Sequence, residues 1–131
     1  EMVGSLSRLS VLGIIEKITL FMDVTYVNPE ESSGLLWDYP DLPEKISILS
    51  SNSNGETSQL FNDKKHSFFT YSLLKGLSGN ADDGDNIIDL GEITEYVYKS
   101  VPENIRNQPG SLRQNPKFNG LDLKRILLDL R

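Results

Sequence analysis

Cysteine is absent from the chain, and histidine and tryptophan occur once each. Without cysteine, this sequence contains no disulfide, no thiolate metal ligand and no cysteine nucleophile. His66 is therefore the one imidazole that an acid–base pair within the chain could use. No apolar run approaches the roughly 20 residues of a membrane-spanning helix, and no signal peptide is recognisable. We expect no membrane association and a cytoplasmic location.

Positive charge is also scarce. The 131 residues include 13 Lys and Arg against 19 Asp and Glu, which gives a formal net charge of −6. Because a phosphate backbone is bound by a basic field, nucleic acid is not an expected partner. A hydrophobic content of 37% and a charged content of 24% are ordinary for a globular domain. Because the sequence opens with Glu1 rather than Met, we expect a fragment or a processed product, with at most one domain.

Apolar runs and their spacing predict an α/β fold. Residues 17–24, KITLFMDV, are continuously β-prone and predict a central strand of a parallel sheet, and residues 45–51 predict a second strand. A polar loop, an aromatic-rich helix, an acidic turn and an amphipathic helix follow, which is the alternation typical of α/β sheets. Near-alternating apolar residues over 121–130 predict a terminal strand, although Leu127 also leaves a helix open.

Apolar spacing predicts helices within 3–15, from Asn62 or Asp63 to about Gly79, and over 91–101. Asp89 precedes the last of these helices and is predicted to cap its N-terminus. The segments 26–44 and 102–120 are predicted long loops, because both are rich in proline, glycine and polar residues. Loops of this length in compact domains are usually functional or flexible.

Acidic residues cluster in the segment 80–92, NADDGDNIIDLGE. A calcium loop of the EF-hand type needs glycine at its sixth position and glutamate at its twelfth. With Gly84 as the sixth residue, Leu90 is the twelfth, so this register fails. Asp82, Asp83 and Asp85 could still hold a hard cation weakly. A solvated acidic turn ahead of a capped helix is the simpler interpretation, and we expect no metal and no cofactor.

The polar ends of the two predicted strands are another place where a site is expected. Asp23 ends the first strand, Ser51 and Asn52 follow the second, and open α/β sheets bind ligands at such carboxyl ends. A serine- and glycine-rich loop after a strand can cradle phosphate, but neither glycine-rich phosphate motif is present. His66 is predicted in the first turn of the aromatic helix, where a structural position is the default and a catalytic role the alternative.

Seven segments of the chain occur in a characteristic order. They are ILSS at 48–51, GETS at 55–58, HSFFTYSLLKGL at 66–77, GNAD at 79–82, IDLGEI at 88–93, YV at 96–97 and QNPKFNG at 114–120. This ordered set resembles the small-subunit region of caspase-like peptidases of the metacaspase and bacterial caspase type. The similarity covers roughly residues 14 to 120.

The resemblance implies that residues 1–131 are the C-terminal part of a caspase-like, three-layer α/β sandwich, with a mostly parallel sheet flanked by helices. In that family the corresponding first strand is followed by Asp-x-Cys-x-Ser-Gly, in which Cys is the nucleophile. Here Asp23 matches, Thr25 takes the place of Cys, and Val27-Asn28 replace Ser-Gly. The family's general-base His lies in an upstream His-Gly motif, and His66 corresponds to a different position.

The resemblance therefore predicts a pseudo-protease without its nucleophile, acting as a binding, regulatory or scaffolding module for a protein or peptide ligand. A relict cleft would lie around Asp23, Thr25, Ser51 and Asn52. Two alternatives stay open: part of a working peptidase whose base and nucleophile lie partly outside this chain, and a calcium-responsive module built on the acidic turn. Because an uncovered central strand invites pairing, we expect the N-terminal half of the fold, or a second copy, to complete the sheet.

Overall fold

The computed structural model describes residues 5, 8, 16–24, 42–53 and 55–131. The helix predicted within 3–15 lies outside these residues apart from Ser5 and Arg8, which are helical. The loop predicted at 26–44 lies outside them apart from residues 42–44. In the part of the chain that is described, no helix is both long enough and apolar enough to cross a membrane.

The described part is a mixed α/β structure with two helices and three small sheets. The elements in chain order are β1 (Ile18–Met22), β2 (Ile46–Ser50), β3 (Leu60–Phe61), β4 (His66–Ser67), α1 (Phe68–Lys75), β5 (Ile87–Asp89), α2 (Leu90–Arg106), β6 (Lys117–Asn119) and β7 (Ile126–Asp129). The strands predicted at 17–24, 45–51 and 121–130 are thus confirmed as strands, each with shorter bounds.

The largest sheet has the strand order β1–β2–β6. β1 and β2 run parallel, with Ile18 opposite Ile46 and Met22 opposite Ser50. β2 and β6 run antiparallel. The expectation of a mostly parallel sheet is therefore wrong for the described residues, because β6 returns along β2 in the opposite direction. β1 was expected to be central, but in the described sheet it lies at one edge.

The core is formed where α1 and α2 pack together against β2 and β5. Every residue of β2 is buried. The buried apolar cluster consists of Leu49, Phe61, Phe68, Phe69, Leu73, Ile88, Ile93, Val97, Val101 and Ile105. Burying each of the larger of these side chains stabilises the fold by about 1.5–3 kcal/mol. The members on α2, from Ile93 to Ile105, recur every four residues, so one face of this helix supplies much of the core.

α2 begins as predicted and ends later than predicted. The Asp89 side chain accepts a hydrogen bond from the Glu92 backbone N–H, and the Glu92 side chain accepts one from the Asp89 N–H, which completes a capping box. The helix runs through Pro102 to Arg106, so the expected end at residue 101 is wrong. The loop expected over 102–120 is confirmed for 107–116 and wrong for 102–106, which are helical, and for 117–119, which form β6. Proline removes one helical donor, but burial of Val101 and Ile105 on either side keeps the helix against the core.

The terminal strand pairs away from the main sheet. β7 runs antiparallel to β5, with Leu128 opposite Ile88. Leu127 packs against the core, whereas Ile126 and Leu128 are exposed. The residue that breaks the apolar alternation is therefore the one that faces inward.

A short hairpin precedes α1. β3 and β4 pair antiparallel, with Phe61 opposite His66. The 3-10 turn Asn62–Lys64 joins the two strands, and Ser67 caps α1 by accepting from the Thr70 N–H. The helix predicted to begin at Asn62 or Asp63 thus begins at Phe68. His66 lies in β4 and not in the first turn of the helix.

Candidate functional site

The carboxyl ends of β1 and β2 lie side by side at the same end of the main sheet, as predicted. The Ser51 N–H donates to the Met22 carbonyl over 2.8 Å, and the Val24 N–H donates to Ser51 Oγ over 3.2 Å. Asp23 follows β1 directly, while Ser51 and Asn52 follow β2. Three of the four predicted cleft residues therefore lie at the same end, and we call them the strand-end cluster. Thr25, the fourth, lies outside the described residues.

Asp23 is held by three hydroxyl groups from other parts of the chain. Ser58 Oγ donates to Oδ1 over 2.6 Å, and Thr70 Oγ1 donates to Oδ2 over 2.5 Å. Ser67 Oγ also donates to Oδ2. Ser67 and Thr70 belong to the N-terminus of α1, where a negative charge is favourable. A carboxylate can accept about four hydrogen bonds, so most of the capacity of Asp23 is used, and its bonds join the end of β1 to Ser58 and to the N-terminus of α1.

Ser51 and Asn52 are fully buried and bonded to one another. Ser51 Oγ donates to Asn52 Oδ1 over 2.6 Å, and Asn52 Nδ2 donates to the Glu56 carbonyl over 2.5 Å. The Ser51 hydroxyl proton is thus committed to an amide oxygen, which is not a base that could activate it. His66 stands exposed on β4, opposite Phe61. Among the described residues, no imidazole is hydrogen-bonded to a hydroxyl of this cluster.

Glu56 bridges the loop after β2 to the segment before β6. Its carboxylate accepts from the Asn115 N–H at 2.6 Å, from Asn115 Nδ2 at 2.7 Å and from the Ser53 N–H at 3.2 Å. Arg113 Nε adds an ion pair at 3.0 Å, with the Glu56 side chain only 11% exposed. Partial burial raises the pKa of Glu56, but the hydrogen bonds from Asn115, Ser53 and Arg113 together outweigh it and hold this pKa below its ordinary value.

Two glutamines extend this bridge. Gln114, which is buried, donates from Nε2 to the Ser51 carbonyl over 2.8 Å and accepts from the Gln59 N–H over 2.9 Å. Gln59 exchanges two hydrogen bonds with the backbone of Leu112. Sequence reasoning missed Gln59, and it noted Glu56 and Gln114 only as parts of resembling segments. The sequence contains one signal for Glu56: it is the single carboxylate within the polar run SSNSNGETS.

The acidic turn gathers four carboxylates. Asp82, Asp83, Asp85 and Glu92 each offer an oxygen, and these oxygens all lie within 4.8 Å of one another. Much of the turn is organised by its own backbone: Asp82 Oδ1 accepts from the N–H groups of Gly84 and Asn86, and Glu92 Oε1 accepts from that of Asp83. Clustered carboxylate oxygens are the donor type that calcium prefers.

Glu92 was missed as a member of this cluster because the register was counted from Gly84. Counted from Glu92 as the twelfth residue, Asn86 becomes the sixth, and Asn86 has the left-handed backbone, φ 65°, that the sixth position of a calcium loop requires. Asp83 and Asp85 then become the third and fifth residues, while Ala81 occupies the first and offers no side-chain ligand.

Comparison of the chain with protein-family models, with curated proteins and with solved structures finds no match in any of the three.

Proposed function

We propose that this chain is a caspase-like domain without peptidase activity, which serves as a binding or regulatory module. The observation that carries the proposal is the bonding of the strand-end cluster. Its Asp23 and Ser51 side chains are hydrogen-bonded to other protein groups, and among the described residues neither is hydrogen-bonded to an imidazole. The absence of cysteine from the sequence and the exposed position of His66 on β4 support the same reading.

The hydrolysis test uses fluorogenic peptides ending in Arg, Lys or Asp, with the wild-type chain compared with Thr25→Ala and with Ser78→Ala, an exposed hydroxyl remote in sequence from the cluster. We expect no turnover above background for any of the three proteins. Hydrolysis by the wild type that is lost in Thr25→Ala and kept in Ser78→Ala would overturn the proposal. It would favour the alternative of a working peptidase that uses Thr25.

The partner implied by this proposal is a strand that completes the main sheet at β1. Among the described strands β1 pairs only with β2, and Phe21 on β1 is 37% exposed. An open, apolar strand edge is a template for pairing. The occupant under this proposal is the N-terminal half of the same fold or a second copy. Native mass spectrometry distinguishes them, because the first gives an equimolar second component and the second gives a homodimer. A monomer that stays monomeric at high concentration would count against both.

A second candidate function is a calcium response of the acidic turn, which the grouping of four carboxylates favours. Because a bound cation stabilises the state that binds it, calcium at about 1 mM should raise the melting temperature relative to a chelator. The shift should disappear in Asp83→Asn and persist in Asp63→Asn, an exposed aspartate of the hairpin turn. An unchanged melting temperature in the wild type would rule this function out.

A further inference from the structure

A wide groove lies beside α2 on the side of the acidic turn. Its volume is about 1050 Å³, and it is bounded by the turn, by α2 and by the segment that leads into β7. Three large apolar side chains in this groove are open to solvent: Tyr98 is 43% exposed, Leu123 is 42% exposed and Ile126 is 59% exposed. Apolar surface gathered in one concave region is characteristic of a binding surface.

Negative charge is concentrated along the same groove. The carboxylates that line it are those of Asp83, Asp85, Asp89, Glu92 and Glu95, against two lysines, Lys99 and Lys124. Lys124 approaches Asp89 at 3.9 Å from a largely exposed position. Within the described part of the chain, Asp83, Glu92 and Glu95 form no ion pair with lysine or arginine. The groove therefore combines apolar surface with a surplus of negative charge.

We propose that this groove binds a short, basic, amphipathic peptide segment of another protein, in which Lys or Arg alternates with apolar residues. The apolar residues of the segment cover Tyr98, Leu123 and Ile126, and its cations face the carboxylates. The negative charge of the groove favours a positively charged segment as its occupant. A second copy of the chain is disfavoured, because each copy carries a net charge of −6. A polycation without apolar groups would leave the three apolar side chains in water. The inference depends on neither the caspase-like resemblance nor the calcium response.

The test is fluorescence anisotropy in the presence of a chelator, with a labelled peptide in which lysine alternates with leucine. Two control peptides replace leucine by serine or lysine by glutamate. We expect saturable binding of the lysine–leucine peptide, weaker binding of the lysine–serine peptide and none of the glutamate–leucine peptide. Affinity should fall about tenfold or more as the Debye length is shortened from about 10 Å to about 3 Å by added salt. Equal binding of all three peptides, or binding insensitive to salt, would overturn the proposal.

Matched variants inside and outside the groove test whether the peptide binds there. Glu95→Lys should weaken binding about fivefold, the scale of reversing one exposed charge, while Glu103→Lys on the same helix, outside the groove, should change nothing. Ile126→Ser should weaken binding as well, and Leu60→Ser, at a still more exposed apolar position on β3, should not. Circular dichroism checks that each variant is folded. If the wild type is instead a dimer that Ile126→Ser dissociates, the occupant is a second copy and the proposal fails.

Discussion

Removal of the Glu56 carboxylate should loosen the region after β2, where it joins two segments of the chain. Replacement by alanine removes the acceptor for both Asn115 donors and for the Ser53 N–H. A hydrogen bond to a charged group contributes about 1.5–3 kcal/mol, and a buried donor left without a partner costs about 1–3 kcal/mol. The Arg113 ion pair adds little, because the Arg113 side chain is 85% exposed. With water partly replacing the lost acceptor, we expect Glu56→Ala to lower the free energy of unfolding by about 2–4 kcal/mol. That is a large share of a typical total of about 5–15 kcal/mol.

The same carboxylate makes stability depend on pH. The pKa of Glu56 is held below its ordinary value of 4.5 in the folded state. The stabilising effect of the ionised carboxylate is therefore fully present above the ordinary pKa. It is lost as the pH falls through the folded-state pKa. Glu56→Gln cannot titrate, so the stability difference between wild type and Glu56→Gln should be largest at about pH 7 and should shrink at about pH 3. Other carboxylates titrate in both proteins and cancel in this difference.

The measurement is urea unfolding followed by far-ultraviolet circular dichroism, which reports chiefly on α2. Glu103→Ala is the matched control, since Glu103 is an exposed glutamate on α2, and an exposed substitution of this kind changes stability by about 0.5 kcal/mol or less. If Glu56→Ala loses no more stability than Glu103→Ala, Glu56 does not hold the two segments together. A wild-type to Glu56→Gln difference that is the same at both pH values would refute the pKa argument.

Three further predictions concern single residues. Asp89→Ala should lower the free energy of unfolding by about 1 kcal/mol through loss of the capping box, measured by thermal melting against Asp63→Ala, which caps no α-helix. Gly120→Ala should destabilise by about 1–3 kcal/mol, because its Cβ would lie 2.6 Å from Ser47 Oγ and 3.0 Å from Ser47 Cα; Gly110→Ala, with a positive φ but open space around it, controls for backbone strain. Hydrogen bonds from Arg131, chiefly from its side chain, lower the pKa of Asp129 to about 2, so Arg131→Ala should return this pKa part of the way towards 3.8 in an NMR titration; an unchanged value would show that the Arg131 side chain is not the cause.

The sequence predicts the elements that have a local signal. β1 and β2 are recognisable because β-prone residues run without interruption, and the capping box of α2 is recognisable because Asp89 and Glu92 are three residues apart. β6 has no such signal: three residues, Lys117–Asn119, form a strand because β2 lies beside them. The continuation of α2 through Pro102 likewise depends on the burial of Val101 and Ile105. The rule that proline ends a helix considers only the local backbone and does not include this burial.

The candidate site also has a part that the sequence predicts and a part that it does not. The rule that ligands gather at strand carboxyl ends predicts the meeting of Asp23 with Ser51 and Asn52, because the parallel register of β1 and β2 places their ends together. It does not predict that Ser58, Ser67 and Thr70 bond Asp23, since serine and threonine carry no periodic signal.

The sequence separation of hydrogen-bond donors distinguishes carboxylates that hold the fold from carboxylates that are left for recognition. Asp23 accepts from residues 35 to 47 positions away, and Glu56 accepts from Asn115 across 59 positions. Each therefore joins segments that the chain alone would not bring together. In the acidic turn, the donors to Asp82, Asp83 and Glu92 lie within nine positions. The turn keeps its shape by local bonds and leaves its charge exposed. Neutralising Asp23 or Glu56 should thus disturb the fold, whereas neutralising the exposed Asp83 or Asp85 should leave the fold intact and alter what binds to the turn.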